Sequence, residues 1–158
     1  MKKSLTTSIA IFFITLLFSC GGKEDPTPSK TPEQIAIEKI AGESGKTWIV
    51  TGGSVTHKGL DETTEWTDFE ITFSSNSGNK AYTTTNNNNL FDNSGSWAFA
   101  GSNYDKIILT GNQPAADQEI STSGIGNSNL NLEFNVPAPV NSRVNALAGD
   151  YRFELKAK

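Results

Sequence analysis

The stretch LNLEFNV, residues 130–136, alternates apolar and polar side chains without a break. Successive side chains of an extended strand point to opposite faces, so this pattern puts Leu130, Leu132, Phe134 and Val136 on one face. A strand with one apolar and one polar face is typical of an antiparallel sheet that covers a core on one side and meets water on the other. The stretch therefore predicts an all-β fold.

The same two-residue period recurs along most of the chain after residue 45. It predicts further strands around Trp48, residues 69–73, residues 80–85, residues 97–99, residues 105–110 and residues 151–155, with a weaker one at residues 119–125. Clusters of glycine, asparagine, serine and aspartate separate these strands, as turns require, and the asparagine run at residues 86–89 is predicted to be such a turn. The pattern predicts an antiparallel meander of about eight strands, curled into a barrel or a sandwich.

Large aromatic and aliphatic side chains fall on the inward face of this meander. The predicted inward residues are Trp48, Val50, Phe69, Ile71, Phe73, Tyr82, Trp97, Phe99, Ile107, Leu109, Leu130, Leu132, Phe134, Val136, Tyr151, Phe153 and Leu155. Close-packed interiors leave few voids larger than a water molecule, so these groups predict a mostly filled interior.

One short helix is predicted before the first strand. Thr31 is a suitable N-cap, Pro32 suits the first helical position, and Glu33 favours the first turn. Gly42 ends the apolar pattern of the helix.

The first residues have the composition of an export signal. Lys2 and Lys3 precede an apolar run over residues 8–18. A secretory signal has an apolar stretch of about 7–15 residues behind a basic start. A spanning helix needs about 20 residues, so a permanent transmembrane anchor is the weaker interpretation. Residues 1–19 are therefore predicted to be a signal peptide that does not belong to the fold.

The segment Leu17-Phe18-Ser19-Cys20 resembles the lipobox of bacterial lipoproteins. This resemblance implies cleavage just before Cys20 and lipidation of its sulfur, with a further acyl chain on the freed amine. Several chains anchor a protein durably, because each buried methylene contributes about 0.8 kcal/mol. The alternative is an ordinary signal peptide that ends in an unmodified cysteine. Cys20 is the only cysteine, so no internal disulfide exists.

Lys23, Glu24 and Asp25 follow the cysteine closely and resemble the surface-export signal of Bacteroidetes lipoproteins. The resemblance implies an outer-membrane lipoprotein that faces the outside of the cell. A solvated linker on the periplasmic face is the alternative. Residues 20–31 are predicted to be a flexible, proline-containing tether, and residues 32–158 to be the barrel domain.

Gly45-Lys46-Thr47-Trp48 at the first strand, with Arg143 and Gly149-Asp150-Tyr151-Arg152-Phe153 near the end, resemble the small lipocalin-like lipoproteins of Bacteroidetes. The resemblance covers residues 35–157. It implies an up-and-down barrel of eight strands that is suited to binding a small ligand. A shared fold does not by itself define a function.

No catalytic constellation is evident in the sequence, and no cofactor is predicted. His57 is the only histidine, and it lies in a glycine-rich stretch that is predicted to be an exposed hairpin tip. Residues 42–47 contain a GKT sequence, but the order helix, loop, strand is the reverse of a phosphate-binding loop. The protein is therefore predicted not to be an enzyme.

Two other features have a functional and a structural interpretation. An acidic cluster over residues 61–70 offers oxygen ligands for calcium, but it lacks the spacing of a calcium loop and is also typical of a solvated strand edge. Trp66 is predicted to share the face of Asp68 and Glu70 and to be partly exposed. An exposed indole is suited to contact with a ligand or a partner, although it could instead cover the mouth of the barrel.

The chain has 17 acidic and 13 basic residues and a net charge of −4. This balance argues against nucleic acid as a partner and against electrostatic adhesion to anionic lipid. Two classes of function remain. The first is a non-catalytic interaction subunit that docks on an outer-membrane assembly, and the second is a binding module for a small apolar ligand or a glycan at the cell surface.

The lipobox resemblance generates a direct test. A Cys20→Ala variant loses the only acceptor for the lipid, so it should move from the membrane fraction to the soluble fraction. Mass spectrometry of the native protein should show an N-terminal cysteine with acyl chains. Detection of an intact Met1, or of an unmodified Cys20, would contradict the prediction.

Overall fold

The computed structural model describes residues 29–139 and 146–158. It contains one α-helix, α1 (Pro32–Ala41), and a short 3-10 helix (Thr63–Trp66). The strands are β1 (Lys46–His57), β2 (Leu60–Asp61), β3 (Glu70–Asn76), β4 (Asn79–Thr85), β5 (Ser94–Phe99), β6 (Lys106–Leu109), β7 (Ile120–Ser121), β8 (Asn129–Val136) and β9 (Gly149–Ala157). No helix within the described ranges is long and apolar enough to cross a membrane.

All neighbouring strands pair antiparallel, in the order β2-β1-β3-β4-β5-β6-β7-β8-β9. The last strand, β9, also pairs with β1, and this pairing closes β1 and β3 to β9 into a barrel of eight strands. The two-residue β2 only extends the end of β1 as a hairpin. The prediction of an all-β antiparallel barrel with one short N-terminal helix is confirmed.

Helix α1 begins and ends where the sequence predicts. The Thr31 hydroxyl accepts from the backbone N–H of Gln34, and the Gln34 side chain accepts from the backbone N–H of Thr31, which forms a capping box. Gly42 ends the helix with a φ of 63°, a conformation that glycine adopts without strain. The indole N–H of Trp48 donates to the Ile40 carbonyl over 2.8 Å, and this bond holds α1 at one end of the barrel.

The predicted inward side chains are buried, with Phe99 half-buried at the end of β5. The cleanest example is β8, where Leu130, Leu132, Phe134 and Val136 are all buried beside β9. Each fully buried aliphatic or aromatic side chain contributes about 1.5–3 kcal/mol relative to exposure, so this face dominates the stability of the fold.

A bulge in β1 inverts the alternation of that strand. Ile49 pairs with Lys156, and Ser54 pairs with Glu154. An advance of five residues along β1 therefore matches an advance of only two residues along β9. Before the bulge the even-numbered Trp48 and Val50 are buried, and after it the odd-numbered Val55 and His57 are buried. The extra residues include Gly52, whose φ of 79° suits glycine, and Gly53. The bulge therefore reverses which side chains of β1 point inward, from the even-numbered ones before it to the odd-numbered ones after it.

Several predictions fall on residues outside the described ranges. These are Cys20, the residues Lys23, Glu24 and Asp25, and Arg143. The signal peptide and the tether up to residue 28 are likewise predictions from the sequence alone.

Gly53 provides a test of the bulge. A Cβ atom added there would lie 1.7 Å from the Glu154 carbonyl oxygen, so the β1–β9 pairing would have to separate. Gly53→Ala should lower the free energy of unfolding by about 3 kcal/mol, the upper part of the usual range for overpacking. Gly126→Ala is the matched control, because a Cβ atom there meets nothing within 4 Å. Equal stability of the two variants in urea denaturation would show that β1 and β9 do not pack this closely at Gly53.

Candidate functional site

The barrel interior is the first place to look for a ligand, and aromatic rings occupy it. The ring of Phe153 lies 5.3 Å from that of Phe69, 5.5 Å from that of Phe91 and 4.9 Å from that of Trp66, between centroids. Phe91 also lies 5.6 Å from Phe134. These are the separations of rings in direct contact. Rings from the segment before β3, from the loop between β4 and β5, and from β8 and β9 therefore pack against one another across the interior.

Trp66 is buried, with 3% of its surface exposed, so the prediction of a partly exposed indole is wrong. The prediction extended the alternation of β3 backward, but β3 starts only at Glu70 and Trp66 ends the 3-10 helix. β1 and β3 pair only as far as Ile49 and Glu70, and beyond that point the 3-10 segment lies along β1 instead. Trp66 fills the wall of the barrel there, with its ring edge-on to Phe69 and Phe153.

The end of the barrel opposite α1 is closed by a loop that connects β4 to β5. Leu90 and Phe91 project from this loop into the core and are fully or almost fully buried. The sequence pattern does not mark either residue as core, because a loop has no periodicity to reveal burial. An apolar pair inside a long polar run was the only available signal.

The asparagine run at residues 86–89 is a loop between strands, as predicted, and its side chains attach the loop to the 3-10 region. The Asn86 side-chain amide donates to the Asp68 carbonyl over 2.8 Å, and the Asn88 amide donates to the Glu65 carbonyl over 2.9 Å. Asn86, Asn88 and Asn89 have positive φ values, which asparagine tolerates better than most residues. These bonds position Leu90 and Phe91 over the barrel end.

Asp92 connects the same loop to the loop between β6 and β7. Its carboxylate accepts backbone N–H bonds from Asn112 and Gln113, each at 2.9 Å to Oδ2. The Ala115 N–H donates to the Leu90 carbonyl over 2.9 Å. Charge-assisted bonds of this kind are stronger than neutral ones, so the two loops form one closed cover.

His57 is buried rather than exposed at a hairpin tip, because β1 continues to His57 and the turn is formed by Lys58 and Gly59. The inverted alternation after the bulge turns its ring inward. Nε2 donates to the Ala148 carbonyl over 3.0 Å, and Nδ1 lies 3.0 Å from Glu62 Oε1. The ring also stacks on Tyr151 at 4.1 Å. Both ring nitrogens are therefore engaged in contacts that join three segments of the fold.

The acidic residues between positions 61 and 70 are engaged separately from one another. The Thr63 hydroxyl and N–H both donate to Asp61, and these bonds hold the pKa of Asp61 below its usual value. Glu62 contacts His57, and Glu70 pairs with Lys158 over 2.6 Å. Within residues 29–139 and 146–158, no group of three or more His, Cys, Asp or Glu side chains is arranged to hold a metal ion.

The outer surface carries open grooves on both sides of α1. One groove of about 530 Å³ lies between the helix and Ser75, and it is lined by Lys30, Gln34, Ile37 and Glu43, among others. A second groove of about 290 Å³ lies between the helix and two loops at the same end of the barrel. Space for a ligand is thus available outside the barrel wall.

The chain matches no protein-family model, and it matches no curated protein.

The buried tyrosines give the site region a measurable pH response. Burial is the main cause that raises the pKa of Tyr82 and of Tyr151 to about 12. An unfolded tyrosine has a pKa of about 10, so both groups stabilise the fold fully below pH 10, and that contribution is lost as the pH rises toward 12. At about pH 11, Tyr82→Phe and Tyr151→Phe should show the same phenolate absorbance at 295 nm as the original protein.

A clearly smaller absorbance in either variant, with the fold intact by circular dichroism, would show that the replaced tyrosine had ionised. That result would contradict the burial of its hydroxyl.

Proposed function

We propose that this protein is a lipid-anchored lipoprotein of the outer-membrane surface, whose barrel serves as a non-catalytic interaction subunit or accessory of an outer-membrane assembly. The observation that carries the proposal is the packed interior. Phe69, Phe91, Phe134 and Phe153 occupy the place where a barrel of this size would hold a small molecule. Because the interior is filled, a partner would have to bind on the outer surface of the barrel.

The N-terminal sequence supports the membrane part of the proposal. The lipobox resemblance at Cys20 provides an acceptor for lipid, and Lys23, Glu24 and Asp25 favour the outer face of the membrane over the periplasmic face. The tether leads into α1, so the barrel is attached to its anchor through the helix end.

The opposite end of the barrel carries features suited to a partner. The two loops joined through Asp92 form one continuous surface there. Leu60, on the β1–β2 hairpin, is 69% exposed, more than any other large apolar side chain of the described residues. An exposed apolar side chain on a rigid scaffold is suited to protein contact.

A binding module is the second candidate. The packed interior argues against a ligand inside the barrel, so this candidate requires a site on the outer surface. The groove of about 290 Å³ beside α1 is the observation that favours it.

Crosslinking on intact cells tests the first proposal. A membrane-impermeant lysine crosslinker should capture the protein with one outer-membrane protein in a constant ratio. Replacement of Lys23, Glu24 and Asp25 by alanine should abolish capture by this reagent but preserve capture by a membrane-permeant one. The matched control replaces Lys106, Asp117 and Glu119, an exposed set of the same composition, and should retain capture by both reagents.

Recovery of the protein alone with both reagents would contradict the role as an interaction subunit. Capture by the impermeant reagent in the Lys23, Glu24 and Asp25 variant would contradict the proposed export signal.

A further inference from the structure

The ring of His57 is buried at the end of β1 between two oxygen atoms. Nε2 lies 3.0 Å from the Ala148 carbonyl oxygen, and Nδ1 lies 3.0 Å from Glu62 Oε1. A carbonyl oxygen only accepts, so Nε2 must carry a proton. An ionised carboxylate also only accepts, and a neutral imidazole has a single N–H. The contact at Nδ1 is therefore a hydrogen bond only when the imidazole and the carboxylate share one additional proton.

The surrounding groups restrict the ring to this orientation. The ring of Tyr151 stacks on it, with 4.1 Å between the centroids and 4° between the planes. Phe134 stacks on Tyr151 in turn, with 5.4 Å between those centroids. Gly149 lies at the edge of the imidazole, where an added Cβ atom would be 3.1 Å from Nε2. Loss of the shared proton would consequently leave the Nδ1 lone pair facing the Glu62 carboxylate.

Glu62 is the ionisable group in direct polar contact with the ring. Among the described residues, the titratable groups on the elements packed against the ring are Lys58, Glu62, Asp150, Tyr151 and Arg152. Lys58 is exposed, so water screens its charge. Asp150 and Arg152 are engaged with other side chains on the outer face of β9. Burial raises the pKa of Tyr151 to about 12, so this group stays neutral at ordinary pH.

The contacts of the ring join three segments that are distant in the sequence. His57 ends β1, Glu62 directly precedes the 3-10 helix, and Ala148 directly precedes β9. Leu60 lies opposite His57 in the pairing of β1 with β2. The protonation of one side chain can thus influence the hairpin that carries the exposed leucine.

We propose that His57, Glu62 and Ala148 form a pH-sensitive latch between the end of β1, the start of the 3-10 helix and the segment before β9. The latch is closed while one proton lies between Nδ1 and Glu62 Oε1. As the pH rises, this proton passes to water and the Glu62 side chain separates from the ring. The contact with Ala148 persists, because Nε2 keeps its proton. The latch depends on neither the lipid on Cys20 nor an outer-membrane partner.

The direction of the pH dependence follows from the number of protons bound. A free imidazole titrates near pH 6.5, at about which a free glutamate is already ionised. The closed latch retains a proton that the unfolded chain releases, so its contribution to stability is fully present below about pH 6.5 and is lost as the pH rises. The Glu62 side chain is 34% exposed, and water weakens its interaction with the ring.

Urea denaturation of the protein in detergent at about pH 5.5 and about pH 8.5 tests the latch. The unfolding equilibrium constant should be about fivefold larger at the higher pH. Glu62→Gln should remove most of this difference, because an amide can donate to an unprotonated Nδ1 as well as accept from a protonated one. Glu65→Gln is the matched control, since it changes an exposed glutamate of the same 3-10 helix, and it should keep the difference.

Nitrogen-15 nuclear magnetic resonance of the imidazole gives an independent measurement. His57 is the only histidine, so the protein has one pair of ring nitrogen signals. At the lower pH both nitrogens should show the shifts of protonated nitrogen. At the higher pH only Nε2 should do so, because the Ala148 carbonyl holds its proton.

Three results would overturn the proposal. The first is the same unfolding equilibrium constant at both pH values in the original protein. The second is a pH difference in Glu62→Gln as large as that in the original protein. The third is a proton on Nδ1 rather than on Nε2 at the higher pH, which would contradict the contact with Ala148.

Discussion

The pairing of β1 with β9 is the interaction on which the rest of the structure depends. It joins the first long strand to the last one and converts an open meander into a closed barrel. A closed ring brings inward side chains from every strand into one space. The pairing between Ile49 and Lys156 and that between Ser54 and Glu154 can coexist only because the bulge at Gly52 and Gly53 absorbs extra residues of β1.

Closure at this size determines where function can reside. A ring of eight strands is only wide enough for its own side chains or for one small ligand, and here large rings take the space. Helix α1 covers one end through the Trp48 bond to Ile40, and Leu90 and Phe91 cover the other. We therefore propose that any recognition takes place on the outer surface.

The sequence predicts the regular parts of the fold well, because period-two alternation has one physical cause along a whole strand. The inward faces of β8 and β9 follow directly from it. His57 and Trp66 were misplaced because a bulge and a 3-10 helix interrupt the alternation, and no local pattern announces either one. Leu90 and Phe91 carry only a weak signal in the sequence, since a loop has no period that reveals burial.

The central claim is that the barrel interior is filled, and xenon binding measured by nuclear magnetic resonance tests it most directly. Xenon enters empty apolar cavities in proteins. The account predicts no saturable xenon-induced shifts at Ile107, Leu132 or Phe153, whose side chains are fully buried in the core. Saturable shifts concentrated at these residues would reveal an internal cavity and would contradict the account, returning a ligand to the interior of the barrel.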